Sequence, residues 1–502
     1  MKKIILFSLV VLTSLMSYSQ ASSLLLGEPY VGKNDHEVNV LEEYFTKGTE
    51  MLAVRKTDEN EVIIQKMDLK TLKLTSTKKY EDMPANFYSE SAVEFNGHYF
   101  LFYSFWDAAK KEEVLFYYEI DFSKGTFIGE AQKLLTTNKA KPSKMYQDMV
   151  SKKYGFFISE DNKKLMIKSR SKPPGNNDEI RIHVFNSELE EEWNRKVEMP
   201  YPARKIEYVD FMVSNTSDVN LVIKVYERGK HSTFHKELVH IGSQGNVLAT
   251  KIDLGDKFVR DVDIASKEGK PFGIGFYSMR YRDKEEKTIG IFKFEIAEDG
   301  SISHLITKDF PEEKLVRYIK EGKKDISLGK LKVRNIDSQG DEGIVITAEH
   351  RFTIGSEPPY IDCYYDILIL KLDNDANIKW INRLAKRQES RSSNSHTSFA
   401  YKISEGFHYM FYLDHSDNKN RGLDEKPVTY GDTWNNYQNI VSVFKVNDKT
   451  GEVAKNYLFD LREIEGQVFP FKPQEIKQLD DGSYVIEVDN RERKKRLLKV
   501  RY

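Results

Sequence analysis

The chain has 502 residues, and its 77 Lys and Arg are matched by 78 Asp and Glu, leaving a net charge of −1. That balance excludes a global field that would recruit nucleic acid or an anionic membrane. A single cysteine, Cys363, excludes an intramolecular disulfide, and its place in a strand-like run points to a small buried apolar residue.

The chain opens with an export pattern. Lys2 and Lys3 are followed by the apolar Ile4–Met16, and Ser17-Tyr18-Ser19 offers a small-x-small cleavage site before Gln20. The apolar core is too short to span a bilayer, and no second run of spanning length follows. A signal peptide over 1–19 and a single domain over 20–502 are therefore expected. The mature protein would be periplasmic or extracellular, without a transmembrane segment and, lacking a cysteine at the cleavage site, without a lipid anchor.

Beyond the signal, one pattern recurs. An apolar strand ending in Asp or Asn enters a tight turn and leaves as a more polar strand, at Glu119–Leu134, Lys293–Ile306, Leu370–Leu384 and Phe444–Phe459. Further hairpin turns fall at Gly48, Gly97, near Asn162, near Ser217, at Gly269, near Gly340, at Gly406 and at Gly482. Together they give a four-strand unit, A to D, repeated around the chain. Tyr99–Tyr103, Val114–Tyr118, Leu221–Ile223 and Tyr364–Leu372 are nearly continuous apolar runs, as B and C strands covered on both faces require. Leu74–Asp82 and Glu190–Pro200 are more polar, as outer D strands facing water should be.

Sheets packed between neighbours on both faces, with a wet outer edge, describe an all-β, single, closed β-propeller of four-stranded antiparallel blades. Eight blades are expected, or seven if Val38–Phe45 is not an A strand. The last unit has A (Gln474–Leu479), B (Ser483–Asp489) and C (Leu497–Tyr502) but no D, and Ser23–Val31 is free to supply it, so both termini would close the ring. One short inserted helix is predicted at Pro311–Glu321, from Pro311 at the first turn to Gly322 at the cap.

Strand order then fixes where function should lie. The long insertions are Thr136–Lys152, Arg170–Asp178, Ser278–Lys287, Lys308–Lys330, Arg351–Asp362, Lys386–His396, Asp414–Asn436 and Arg462–Phe471. Each is a B–C or D–A connection, so one face of the disc is elaborated and the other plain. Loops on a rigid scaffold are where binding resides. Interface and sugar-stacking anchors are sought among Trp106, Arg280, Tyr281, Arg282, Tyr360, His415, Tyr430 and Trp434, with Tyr146 and Tyr437 beside them. In a chain that is 12% aromatic, many such residues also serve to pin loops.

Chemical motifs are sparse. There is no G-x-S-x-G elbow, Walker loop or H-E-x-x-H, and no cofactor or metal is expected. His231 and His235 in an extended strand would stand roughly 13 Å apart, too far to share a metal. Asp373–Asn377 reads as an Asp/Asn-rich turn rather than a calcium loop, because Ile378 stands where a calcium loop needs Gly. The basic run Arg491–Arg496 reads as a solvated turn and edge.

Leu370–Trp380 and Lys445–Asn456 resemble the LD-x-x-G-x-x-x-W repeat of quinoprotein-like β-propellers. That resemblance implies an exported propeller, often eight-bladed, either a quinone-dependent dehydrogenase or a periplasmic scaffold. The paired cysteines often found at the quinone site of the dehydrogenases cannot occur here. Asp375–Trp380 is also similar to the Asp-box turn of sialidases, with Ser, Gly and Thr replaced by Asp373, Asn377 and Lys379.

The expectation is a monomeric, non-catalytic propeller that binds a protein or polysaccharide partner through its elaborated face, with no nucleic-acid partner. Two alternatives stand beside it: a carbohydrate-active hydrolase or lyase with acids at the channel mouth, and a structural scaffold of an envelope or secretion assembly. Asp210, Asp263, Arg334 and Asp480, on A strands of different blades, are the residues whose convergence would favour catalysis.

Overall fold

A computed structural model describes residues 23–30, 41–57, 60–85, 87–137, 153–171, 177–228, 233–279, 287–315, 317–320, 323–325, 328–338, 343–355, 360–391, 396–432, 439–464, 470–489 and 494–502. Eight antiparallel sheets follow one another around a ring. Blade 1 is Leu41–Lys47, Glu50–Lys56, Val62–Asp68 and Lys73–Tyr80; blade 2 is Tyr88–Phe95, His98–Asp107, Glu112–Asp121 and Thr126–Thr137. Blade 3 is Tyr154–Ile158, Leu165–Ser171, Asn177–Phe185 and Glu191–Pro202; blade 4 is Ile206–Val213, Val219–Tyr226, Phe234–Ile241 and Val247–Lys251. Blade 5 is Phe258–Lys267, Lys270–Ser278, Gly290–Ile296 and Ile302–Asp309; blade 6 is Leu331–Asp337, Ile344–Ile354, Ile361–Leu372 and Ile378–Leu384. Blade 7 is Ala400–Ser404, Phe407–His415, Asn439–Asn447 and Val453–Asp460. Blade 8 takes Lys477–Gln478, Tyr484–Asp489 and Lys495–Arg501 from one end of the chain and Ser23–Leu26 from the other.

Leu41–Lys47 is thus a true A strand, which decides for eight blades over seven. The closing strand is shorter than Ser23–Val31. It pairs from Ser23 with Arg501 to Leu26 with Leu498, and Tyr30 adds one bridge to Lys495. A buried ionic knot sits behind this closure. The Glu487 carboxylate accepts from Arg55 and Tyr30, from the Tyr44 hydroxyl at 2.8 Å, and lies 2.8 Å from the Lys495 ammonium. Lys495, part of the basic run expected to be solvated, is therefore buried, and Arg496 donates to the Gly27 carbonyl.

The predicted helix Pro311–Glu321 is reduced to one turn, Glu312–Leu315, because Arg317–Lys320 pairs as a strand with Lys323–Asp325. Tyr318 and Ile319 are β-formers, and four residues offer too little helix to outweigh a hairpin.

Hairpin turns also serve as inter-blade docks, an A–B turn in blade 4 and a C–D turn in blade 7. Trp193 and Trp380, both on D strands, donate their indole N–H to backbone carbonyls of the next blade's turns, Ser217 at 3.0 Å and Asp448 at 2.8 Å. Gly451 has φ +70° and sits so close to Trp380 that an added Cβ would lie 2.6 Å from the ring. The turn glycine is thus demanded both by its left-handed backbone and by the ring beside it. In blade 6 the same turn is built without glycine: Ala376 takes φ 60°, and the Asp373 side chain accepts from the Asn377 N–H at 2.8 Å.

The A–B and C–D connections are tight, while Asp309 to Leu331, Leu384 to Ala400, His415 to Asn439 and Asp460 to Lys477 are long. All the insertions expected on one face do leave from B–C or D–A ends. Between blades 6 and 7 they add a raised edge: Gln388–Ser390 pairs with Asp362–Tyr364, and Tyr430–Asp432 runs parallel to it.

Candidate functional site

A strands of neighbouring blades adjoin and line the central channel. Four of them carry a register shift at a similar depth, at Glu90, Val209, Arg260 and Arg334. A bulge there bends the strand and re-aims its side chains. Acids at or near this level stitch the blades together. Glu90 accepts from the Lys153 N–H, Asp178 from the Tyr208 hydroxyl, Asp210 from the Ile264 N–H, Asp261 from the Val333 N–H and Glu349 from the Ser398 hydroxyl.

Asp210, Asp261 and Asp263 meet where blades 4, 5 and 6 adjoin. Asp261 is buried; its carboxylate lies 3.3 Å from Lys236 and 2.8 Å from Lys332. Burial alone would raise its pKa, but the two ammonium groups and the Val333 N–H outweigh it and hold the carboxyl below its usual range. Asp263 has the opposite fate. Burial, then repulsion from Asp261 and Asp210, pushes it up to about 7. Burial also raises Asp210, against the Ile264 and Phe211 N–H groups that stabilise its charge. Lys236, wholly buried, is lowered to about 8. Of the three acids, two are consumed by inter-blade bonds. The Asp263 side chain makes no hydrogen bond or ion pair with any described residue, and the residue is half-buried.

Above this cluster the rim of blades 4 and 5 carries interleaved rings and cations. Tyr226, Phe234 and Phe258 stack edge to face, with centroids 6.0 and 5.0 Å apart. The Lys224 ammonium lies 4.3 Å from the Phe234 ring, and the Arg260 guanidinium 5.1 Å from Phe258. On blade 6, Arg334 stands over the buried Glu349, 3.9 Å away, which also holds the Lys386 ammonium at 2.9 Å. Sequence reasoning reached Arg334, Asp210 and Asp263 through strand order. It missed Asp261, Lys236 and Lys332, whose meeting depends on the bulges.

The loop anchors are dispersed. Tyr360 is 48% exposed beside the raised edge of blade 6, near the cluster of His350, Phe352 and Tyr365, where Arg387 lies 4.1 Å over the Tyr365 ring. Trp106 ends the B strand of blade 2, half-buried and paired with Glu113, rather than lying in a loop. The ring nitrogen of His415 accepts from the Asp417 N–H and caps a short turn. Tyr430 is 1% exposed and packs in the blade 7 core, so its ring is not offered to a ligand. Arg280, Tyr281, Arg282 and Trp434, with Tyr146 and Tyr437, lie outside the described residues, as do His231 and Gly340. Arg280–Arg282 nonetheless falls in the connection that leaves Ser278, whose hydroxyl Arg260 binds at 2.7 Å.

Asp480 belongs elsewhere. With Lys47, Glu94, Tyr99 and the turn glycines Gly48 and Gly97 it lines a polar cavity of about 320 Å³ on the plain face, at blades 8, 1 and 2. Among the described residues no group of three or more His, Cys, Asp or Glu is placed to hold a metal ion. Likewise none of the helices among them is long and apolar enough to cross a membrane. Cys363 is buried, and burial pushes its thiol up to about 11.

No protein-family model matches the chain, and no curated protein matches it. Solved structures similar to it include the β-propeller domain of the Trilobed protease from Pyrococcus furiosus, at 13% identity and a TM-score of 0.33 over 87% of this chain and 96% of that one. Polysaccharide lyase Uly1 is similar at 9% identity and a TM-score of 0.37, over 84% of this chain and 92% of that one. The acylaminoacyl peptidase of Pyrococcus horikoshii is similar at 10% identity and a TM-score of 0.36, over 90% of this chain and 58% of that one. At such identities and scores they add nothing beyond the propeller architecture.

Proposed function

We propose that this is an exported, non-catalytic propeller, monomeric and free of nucleic-acid and cofactor business, that binds a protein or polysaccharide partner through its elaborated face. Residues 1–19 act as the signal peptide, and the domain from 20 to 502 works in the periplasm or outside the cell. The observation that carries the reading is the segregation of every long connection to one side of a rigid ring. A fixed disc with one built-up face is suited to presenting contacts rather than to closing over a substrate. The Trp380 dock on the blade 7 turn supports a quinoprotein-like kinship of scaffold.

One observation favours a second reading, a carbohydrate-active hydrolase or lyase. Asp263 is an acid held near neutrality on a channel wall, the state a general acid–base group needs. Against it, a hydrolase needs two working carboxyl groups, and Asp210 and Asp261 are bound to backbone and lysines. A glycan array combined with capture from a native envelope extract tests the proposal. Retention by the wild type, lost when a bulky insertion is placed between Gly422 and Asp424 on the elaborated face and kept when one is placed at Gly406 on the plain face, is expected. Cleavage of the retained sugar, or capture that depends on the plain face, would overturn it.

A further inference from the structure

We infer that the ligand of the elaborated face is an acidic polysaccharide, its carboxylate or sulfate groups seated on a basic inner rim formed by blades 4 and 6. The inference rests on the proposed function above and narrows it to one ligand chemistry.

The chain is almost neutral, yet the charge of this rim is sorted by depth. On blade 6 the Lys332 side chain is 53% exposed while its partner Asp261 is 4% exposed; Arg334 is 30% exposed while Glu349 beneath it is 0% exposed. The acid partners of these two cations lie inside and orient them, and the positive ends reach toward water. Arg204 and Lys205, just ahead of the blade 4 A strand, extend the same arc; Arg204 is exposed and Lys205 half-buried. Lys224 adds a further ammonium at the top of the blade 4 B strand. Exposed acids also stand on the connections of blades 4 and 5, Glu207, Glu227, Asp253 and Asp256; Glu207 is bound to Lys224 and to the Tyr226 hydroxyl, and Asp253 lies 3.4 Å from Lys251. Cations prearranged by buried partners lose little side-chain entropy on meeting an anion, so an anionic ligand gains more here than on ordinary surface lysines.

The rings decide between polymers. Phe234 and Phe258, both half-buried, stand 5.0 Å apart over the buried Tyr226, with Lys224 and Arg260 against them. Ring edges alternating with cations at the scale of a single sugar fit a chain whose every residue offers both an apolar C–H face and an anionic group. An acidic polypeptide offers the charge without the faces.

The test is binding of the full mature chain, by surface plasmon resonance at low and high salt, to polygalacturonate, dextran sulfate, unmodified dextran and polyglutamate. Polygalacturonate and dextran sulfate separate carboxylate from sulfate as the anion. We expect one or both to bind, affinity to fall with salt, and Lys205→Glu with Arg204→Glu to weaken binding about tenfold at low ionic strength. Lys332→Gln is expected to act in the same direction. Lys73→Glu, on the outer edge of blade 1, is expected to leave binding unchanged. Equal binding of dextran would overturn the charge inference while leaving the elaborated-face reading intact. Preference for polyglutamate would overturn the polysaccharide, as would rim variants that bind like the wild type. Capture of a partner that survives insertions in the elaborated face would instead sink the parent proposal.

Discussion

Asp263→Asn isolates what the channel-wall carboxyl costs the fold. Its pKa rises from an ordinary 3.8 to about 7 under burial and the fields of Asp261 and Asp210, only partly relieved by Lys236 and Lys332. The folded chain then holds a proton that the unfolded chain has lost. Stability therefore falls as pH climbs from about 4 to 7, and above 7 the whole penalty is present. A rise of that size corresponds to about 4 kcal/mol of disfavoured ionisation. Solvent screens a half-buried group, so we take about 2 kcal/mol as the working figure. The amide carries no charge at any pH. At pH 4 the variant and wild type should match in urea denaturation; at pH 8 the variant should be more stable by about 2 kcal/mol, or about 2 °C in melting temperature for a chain of this length. Equal stabilities at both pH values would refute the reasoning, and a variant weaker at pH 8 would show an Asp263 carboxylate held by favourable contacts.

Glu487→Gln attacks the ring closure. Arg55 and Lys495 hold this carboxyl near a pKa of about 2 despite its burial. Its contribution is present above the ordinary Glu range and lost as pH falls toward 2. Breaking the pair should cost about 3–5 kcal/mol at neutral pH, with early proteolysis near Ser23–Leu26 as the specific sign. Trp380→Ala should cost a similar amount by emptying the blade 6–7 dock. Gly451→Ala should lose about 1–3 kcal/mol through strain and the clash with that ring; thermal melts read both. Cys363 should stay unreactive to iodoacetamide until denaturant is added, and rapid alkylation of the native protein would contradict its buried, raised pKa.

Much of the architecture was legible because repetition makes it so. The hairpins Glu119–Leu134 and Phe444–Phe459 announce their turns through Asp or Asn followed by Gly, and the two-sided burial of Tyr99–Tyr103 is written in consecutive aromatic and aliphatic residues. Chain order alone then determines which connections share a face. Pro311–Glu321 misled because capping residues argue for a helix without saying how long it runs, and Arg317–Lys320 found a strand partner instead. The site was less legible. Asp261 looks like any other strand acid, and nothing local announces Lys236 on blade 4 or Lys332 on blade 6 as its partners. Tyr430 reads as a loop aromatic, yet the parallel pairing beside Gln388–Ser390 carries it into the core. Contacts between blades are not periodic in sequence, and that is where the chemistry lies.

The seam at blade 8 joins residues from opposite ends of the polypeptide. During synthesis Ser23–Leu26 emerges early, whereas Leu498 to Arg501 follow only after about half a minute to a minute and a half of elongation. Throughout that interval the backbone of Ser23–Leu26 is a bare edge, with seven other sheets nearby to pair with wrongly. A helper that shields this segment until the last strand arrives would raise the yield of correctly closed rings, and a circular permutant cut between two blades would need that help less.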